Sequence, residues 1–236
     1  PDGSDLTRIQ DGVNKHRPGY DLTFSAPKSV SMLAMLGGDK RLIDAHNRAV
    51  TVALNQVESL ASTRVQKDGV SETVLTGNLI IARFNHDTSR AQDPQIHTHS
   101  VVINATQNGD KWQTLASDTV GKTGFSENIL ANRIAFGKIY QNTLRADVES
   151  LGYRTVDAGK NGMWEMEGVP VESFSTRSQE LREAAGPDAS LKSRDVAALD
   201  TRKSKEAIDP AEKMVEWMNT LKAVSYTHLT LPTILR

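Results

Sequence analysis

The chain has 236 residues, with 28 Lys and Arg against 29 Asp and Glu and a formal net charge of -1. This length suffices for one large domain or two small ones with a real hydrophobic core. A hydrophobic content of 38% favours a globular protein. The absence of cysteine excludes disulfides, thiolate nucleophiles and Cys-ligated metal sites. Because there is no overall basic excess, any contact with nucleic acid has to come from local residues.

Strands and helices are predicted to alternate irregularly along the chain. Periodicity and turn residues predict, in chain order, a strand over 20–24, a helix to 36, a helix capped by Asp39, a strand within 74–84, a strand over 95–104 with a hairpin partner at 111–115, a long helix from 126, a hairpin of 153–157 with 163–166, and a helix capped by Asp209. This order favours the α+β class with an antiparallel sheet. No run approaches the roughly 18 apolar residues of a membrane helix, so no membrane insertion is expected.

Three of the six histidines, His86, His97 and His99, lie within one short segment. On a strand, His97 and His99 point to the same face, because side chains alternate. His86 ends the preceding strand, and the loop that contains Pro94 can fold it back beside them. Three neutral imidazoles on one sheet face form an open metal site with positions left for water or substrate. The alternative is three ordinary strand histidines.

The spacing of the histidines limits the chemistry of such a metal. A zincin is excluded, because the sequence has no His-Glu-x-x-His motif. A cupin-type iron oxygenase also uses His-x-His on a strand, but it needs a later Glu and a fourth His. The only later histidine is His228, in an atypical tail. Phosphoryl transfer, with the metal polarising a phosphate oxygen, stays open.

The segment 20–31, YDLTFSAPKSVS, together with the histidine cluster resembles the relaxase domain of conjugative relaxases of the TraI/TrwC type. The similarity runs from about residue 1 to residue 222. It implies an α+β fold whose antiparallel sheet of about five strands bears a histidine metal site. It also implies nicking and transfer of one DNA strand at a plasmid transfer origin. In this chemistry a tyrosine becomes covalently linked to the 5′ phosphate.

The resemblance assigns His86, His97 and His99 as metal ligands, and Asp21 as the acidic residue that contacts one of them and helps to activate the nucleophile. Such a carboxylate fixes the tautomer of a ligating imidazole and raises its basicity. Taken alone, Asp21 would be interpreted as a turn or strand-edge carboxylate. The implied cofactor is a divalent metal ion, Mg or Mn in use, with Zn, Ni and Cu also open because imidazole suits several ions.

Candidate DNA contacts come from two places in the chain. Lys28 and Arg90 are candidate phosphate contacts near the metal site, or alternatively solvated surface charges. In the long helix, a row with four-residue spacing is predicted to lie away from the apolar face and comprises Arg133, Gly137, Gln141 and Arg145. Arg and Gln suit paired hydrogen bonds to guanine and adenine edges, which makes Arg133 and Gln141 candidate base contacts. A merely solvated helix face is the alternative.

Two other features are interpreted as unrelated to the main site. Trp112 and Trp164 are candidates for base stacking, but core packing is their expected role. Residues 116–123 resemble a P-loop, yet the first glycine is missing and Asp118 would oppose phosphate. Nucleotide binding is therefore not expected here.

The resemblance also implies partners, namely single-stranded transfer-origin DNA and other relaxosome and conjugation proteins. The implied location is the cytoplasm of a bacterial donor cell. Members of the family carry helicase motors farther along the chain. The family's nucleophilic tyrosines lie near the start of the protein and match none of the four tyrosines present: Tyr20, Tyr140, Tyr153 and Tyr226. We therefore expect residues 1–222 to be a relaxase domain fragment without its nucleophile segment and without activity of its own, and residues 223–236 to be a tail foreign to the family.

Two other functions stay open from the sequence. One is an origin-DNA-binding module without chemistry, in which the histidines only position phosphate. The other is a metal-dependent oxygenase or hydrolase that acts on small molecules. Metal-insensitive, sequence-selective DNA binding would favour the first, and failure to bind single-stranded DNA would favour the second.

Overall fold

The computed structural model describes residues 9–14, 17–118, 120–159, 162–186, 189–201 and 209–223. Its helices are α1 Lys28–Met35, α2 Arg41–Glu58, α3 Phe125–Ser150, α4 Thr176–Ala185, α5 Leu191–Asp200 and α6 Pro210–Ala223. Its strands are β1 Ile9–Gln10, β2 Val13–Asn14, β3 Gly19–Ser25, β4 Ser62–Lys67, β5 Val70–Leu75, β6 Ile81–Thr88, β7 Pro94–Ile103, β8 Thr106–Asn108, β9 Lys111–Gln113, β10 Thr155–Asp157 and β11 Trp164–Met166. The predicted α+β class is confirmed. Of the predicted tail, 223–236, only Ala223 belongs to the described residues, and it is the last residue of α6.

The helices form where periodicity and caps predict them. In α2, His46, Val50 and Val57 are fully buried, which is the apolar stripe expected of a helix packed on one side. Asp39 lies before α2 and accepts a hydrogen bond from the backbone N–H of Arg41 at 3.1 Å. Asp209 does the same before α6, accepting from Ala211 N–H at 2.7 Å. Both caps satisfy backbone donors that have no partner within the helix.

A three-stranded sheet in the order β3-β7-β6 holds the histidine segment. The N–H of Asn104 donates to Pro18 O at 3.0 Å and that of Ala26 donates to Ile96 O at 2.9 Å, so β3 and β7 are antiparallel. Among the described residues this is the largest sheet, and it has three strands where the resemblance implies about five. The β4–β5 hairpin does not extend it, because Thr63 bridges to Leu115 instead.

Strand β7 separates two kinds of side chain. On one face its residues are buried, as at Ile96, Thr98, Ser100 and Val102. The alternate residues Gln95, His97, His99 and Val101 are half-buried. We call the sheet face that bears His97 and His99 the histidine face. The prediction that these two histidines share a face is confirmed.

One predicted strand pairing differs from the structure, and one strand was not predicted. The turn at Gly109 joins β9 to the short strand β8, with Asn108 opposite Lys111, and not to β7 as predicted. The reason is the buried Asn104, whose Oδ1 accepts from Leu115 N–H at 3.1 Å and interrupts the strand. Strand β4 was not predicted, although it pairs with β5 across the turn at Asp68 and Gly69.

Contacts divide the chain into two units. The first comprises residues 1–24, 48–85 and 98–143, and its core cluster consists of Val57, Ala61, Val102, Leu115, Phe125, Ile129 and Phe136. The second comprises residues 25–47, 86–97 and 144–236, with a core cluster of Met32, Phe174 and Trp217. Within the described ranges, none of the helices combines the length and apolar character needed to cross a bilayer.

Candidate metal and DNA site

Asp21 and His99 form a direct contact on the histidine face. Asp21 Oδ2 lies 2.7 Å from Nδ1 of His99, and Thr23 Oγ1 lies 3.2 Å from the same nitrogen. Asp21 and Thr23 are two residues apart on β3, so their side chains lie on the same face of the sheet. His99 lies on that face of the neighbouring strand β7. A carboxylate is only an acceptor, so Nδ1 is the protonated nitrogen of the neutral ring and Nε2 keeps its lone pair.

His86 and His97 form the second histidine pair. Their rings stack with centroids 5.2 Å apart and an interplanar angle of 26°. Nδ1 of His97 lies 2.9 Å from the carbonyl oxygen of Gln95. The carbonyl selects the same tautomer as Asp21 does, with the hydrogen on Nδ1 and the lone pair on Nε2.

The donor chemistry of these residues fits a divalent metal ion. Metal-bound histidines ordinarily donate their other ring N–H to a carboxylate or a backbone carbonyl, as His99 and His97 do here. In the described part of the chain, no group of three or more His, Asp or Glu side chains is already assembled around a metal position. The assignment of His86, His97 and His99 as a common ligand set therefore stays a prediction.

Lys28 and Arg90 belong to the same unit as His86 and His97. Lys28 is the first residue of α1, and its Nζ donates to Pro94 O at 2.8 Å. Burial lowers the pKa of Lys28 to about 8, against the opposing effect of the carboxylates Asp93 and Glu165. Arg90 lies half-buried in the turn between β6 and β7. Phosphate contact by either side chain stays a prediction.

The predicted exposed row on α3 is wrong in its geometry. Arg133 is exposed, and its Nη1 donates to Leu130 O at 3.0 Å, whereas Gln141 is buried and only 7% exposed. Arg145 is engaged with Glu149 and Asp157 at 3.1 and 2.7 Å. Since a helix has 3.6 residues per turn, each four-residue step rotates the side chain by about 40°, and two steps bring Gln141 to the packed side. DNA contact by Arg133 and Gln141 stays a prediction.

The three described tyrosines are engaged in packing. Tyr20 meets Phe125 edge-on with ring centroids 5.8 Å apart, and it alternates with Asp21 on β3, away from the histidine face. Tyr140 is 1% exposed, and burial raises its pKa well above the ordinary value. The hydroxyl of Tyr153 donates to Asp39 Oδ2 at 2.8 Å. Tyr226 lies outside the described residues.

The P-loop-like segment is closed by its own carboxylate. Asp118 Oδ1 accepts from Gly121 N–H at 2.9 Å, and Oδ2 accepts from the Thr123 hydroxyl at 2.8 Å. These are the donors that a phosphate would need, and they hold the pKa of Asp118 below its usual range. The expectation that Asp118 opposes phosphate agrees with this geometry.

One aromatic residue near the histidines was missed by the sequence analysis. Phe84 is 54% exposed, whereas Trp164, a stacking candidate, is 1% exposed and belongs to the core. Strand alternation could have identified it, because Phe84 precedes His86 by two residues and so lies on the same face of β6.

Comparisons with known proteins show which family the chain resembles. The family model described as TrwC relaxase matches residues 1–224. The multifunctional conjugation protein TraI of Escherichia coli is 74% identical over 226 residues, which cover 96% of this chain and 13% of that relative. The chain therefore spans a small part of the length of this curated relative.

Solved structures of TrwC share the fold. A metal-free complex of the conjugative relaxase TrwC with oriT DNA has a TM-score of 0.83 and 32% identity, over 94% of this chain and 79% of that chain. A copper-bound TrwC complex with oriT DNA has a TM-score of 0.83 and 33% identity, over 94% of this chain and 76% of that chain. With the family model spanning nearly its whole length, the chain belongs to the TrwC relaxase family.

Proposed function

We propose that this chain is a relaxase domain that takes part in nicking and transferring one strand of plasmid transfer-origin DNA. The observation that supports it most is the contact of Asp21 Oδ2 with His99 Nδ1 at 2.7 Å. This contact leaves the lone pair of His99 on Nε2, which is the atom that we propose binds a metal ion. Family membership supplies the reaction class to which such a site belongs.

The ligands proposed for a divalent ion are His86, His97 and His99. A bound divalent ion supplies positive charge that polarises a phosphate oxygen. Asp21 acts as a positioning residue, since it fixes the orientation of the His99 ring and raises its basicity. Mg and Mn are the ions proposed in use, with Zn, Ni and Cu as alternatives. The copper-bound structure of TrwC, to which this chain is similar, supports the binding of a divalent metal ion.

The proposed reaction exchanges one ester for another. A tyrosine hydroxyl gives up its proton as its oxygen attacks the scissile phosphorus. The bond from phosphorus to the 3′ oxygen breaks, and the 3′ oxygen takes up a proton, so the number of protons is unchanged. The 5′ phosphate stays linked to tyrosine until a new 3′ hydroxyl reverses the step, so no external oxidant or energy source is required. We propose that neither Tyr20, Tyr140 nor Tyr153 is this nucleophile, because each is packed as described above.

The proposed DNA contacts are Lys28, Arg90, Arg133 and Gln141. Lys28 and Arg90 are assigned to phosphates and the α3 pair to bases. The exposure of Arg133 supports its role directly. Relaxosome and conjugation proteins are the proposed protein partners, and the cytoplasm of a bacterial donor cell is the proposed setting.

A covalent-adduct assay tests the enzyme proposal. Single-stranded transfer-origin DNA with Mg or Mn is incubated with this chain and with a version extended by an upstream tyrosine segment, and both are run on a denaturing gel. We expect an adduct from the extended version, lost with a chelator or with His97→Ala. An adduct from this chain alone would contradict the exclusion of its own tyrosines.

A DNA-binding module without chemistry is the second candidate function. It is favoured by the packing of all three described tyrosines. No adduct in either lane, with selective and metal-insensitive DNA binding, would establish it in place of the enzyme. Failure to bind single-stranded DNA at all would instead leave the oxygenase or hydrolase alternative.

A further inference from the structure

Phe84 differs from every other phenylalanine of the chain in its exposure. The chain has five phenylalanines, and Phe24, Phe125, Phe136 and Phe174 are all buried, at 0–8% exposed. Phe84 is 54% exposed on strand β6. The Phe84 ring therefore does not fill the core. Exposure of its apolar surface to water is unfavourable in free energy.

The strand register places Phe84 opposite His99. The N–H of Ile103 donates to Ile80 O at 2.9 Å, and the Thr98 hydroxyl donates to Asn85 Oδ1 at 2.7 Å. Both pairs fit one antiparallel register, in which residue 84 of β6 faces residue 99 of β7. Residues directly opposite on one face have Cβ atoms about 4.5–5.5 Å apart. Phe84 and His99, both in the first unit, are thus immediate neighbours on the histidine face.

The residues that contact His99 are polar. Asp21 and Thr23 contact His99 from the β3 side, and both are exposed. An aromatic ring beside such groups offers a flat apolar surface to a ligand that also has a charged group, which can lie near the histidines. A single strand of DNA has this combination, because each nucleotide joins an aromatic base to a phosphate.

We propose that Phe84 is a stacking platform for one nucleobase of the single strand that passes the histidine face. This inference rests on the proposed function. It adds a residue that positions the DNA strand beside His99. Every base has a π face, so the contact contributes affinity and placement with little preference among bases. Phe84 has no hydrogen-bonding group and takes no part in the chemistry.

Binding measurements with matched variants test the platform. The probe is a fluorescent single strand that comprises a transfer-origin hairpin and cleavage site, and the readout is anisotropy in a metal-free buffer. We expect Phe84→Ala to weaken binding by about 5- to 150-fold, the size of one lost stacking contact. Phe84→Tyr, which keeps the ring, should bind like the unchanged chain. Leu75→Ala is the control, since Leu75 is 70% exposed on β5 in the same unit.

An abasic scan identifies the stacked base. Probes that lack one base at a time are titrated with the unchanged chain and with Phe84→Ala. At one position the two losses should not add, because the variant and the probe each remove the same contact. Additive losses at every position would overturn the proposal.

Other outcomes separate this inference from the proposed function. If the unchanged chain shows no selective binding of the transfer-origin strand, both fail. If it binds selectively and Phe84→Ala lies within twofold of it, only the stacking role fails. Phe84→Leu binding as tightly as the unchanged chain would also overturn stacking, since leucine keeps apolar area but has no ring. Thermal unfolding of each variant checks that the fold is unchanged.

Discussion

The Nδ1 atom of His99 lies 2.7 Å from Oδ2 of Asp21, with the two residues on adjacent strands. Neither residue is deeply buried, since the side chains are 32% and 50% exposed. Water can therefore compete for both groups, and the pair has little value as a stabilising surface interaction. Its main consequence is the orientation and tautomer of the imidazole.

Replacing Asp21 by Asn should weaken metal binding without unfolding the chain. An amide oxygen can still accept from Nδ1, but it lacks the negative charge that raises the basicity of the ring. Loss of such outer partners typically lowers metal affinity by about 10- to 100-fold. Isothermal titration with Mn²⁺ measures this, with Asp110→Asn in an exposed turn as the control. Equal affinities for the two variants would contradict the positioning role.

Glu165 should prove important for stability through the start of α1. Its Oε2 accepts from the N–H of Ser29 at 2.8 Å, and its Oε1 accepts from the N–H of Lys28 at 3.2 Å. Glu165→Gln removes the charge and one acceptor, and we expect a loss of about 1–3 kcal/mol in the free energy of unfolding. The control is Glu167→Gln, which affects only an exposed ion pair with Arg154. Urea unfolding of both variants should show a clearly larger loss at Glu165.

Gly137 should be replaceable by alanine with a gain in stability. A Cβ added there meets nothing within 4 Å, and alanine is favoured over glycine inside a helix by about 1 kcal/mol. At Gly19 the added Cβ would lie 2.3 Å from Val102 O, so Gly19→Ala should destabilise the chain. Opposite shifts in melting temperature are expected. If Gly137→Ala also lowers DNA affinity, DNA approaches α3 closely at this residue.

The pH dependence of stability should show a maximum near pH 10. Burial lowers the pKa of Lys28 from 10.5 to about 8, so between these values the folded chain has released a proton that the unfolded chain retains. The free energy of unfolding then rises with pH, by about 2 kcal/mol from pH 8 to 10. Burial raises the pKa of Tyr153 from 10.0 to about 12, so above pH 10 the unfolded chain releases its proton first and stability falls.

Two variants separate these contributions. Lys28→Met should abolish the rise between pH 8 and 10, and Tyr153→Phe should reduce the fall above pH 10. Urea unfolding at a series of pH values measures both slopes. A rise that persists in Lys28→Met would show that another group is responsible for it.

The sequence was most informative where one physical signal was sufficient. Asp39 and Asp209 marked helix starts because a side-chain acceptor before a helix has a specific partner in its first turn. Strand β4 gave no such signal, since Arg64, Gln66 and Lys67 are polar and only its first two residues are buried. The short β8 was missed because Asn104, which interrupts β7, acts through a distant contact with Leu115.

Placement of the candidate site residues was uneven for a related reason. His97 and His99 follow from strand alternation, which is an exact period of two. The row from Arg133 to Gln141 assumed a period of four on a helix whose period is 3.6, and the error accumulated with length. The neighbours of His86 depend on the register between β6 and β7, which the sequence of one strand does not specify.

On strand β7, residues that fill the interior alternate one by one with residues of the proposed metal site. Since buried and half-buried positions alternate along it, inserting one residue within the strand would turn every later side chain over. Histidine would enter the interior, and Thr98 or Ser100 would take its place outside. Changes in length should therefore be excluded from the strand. The burial of Thr98 and Ser100 during folding therefore also fixes the face on which His97 and His99 lie.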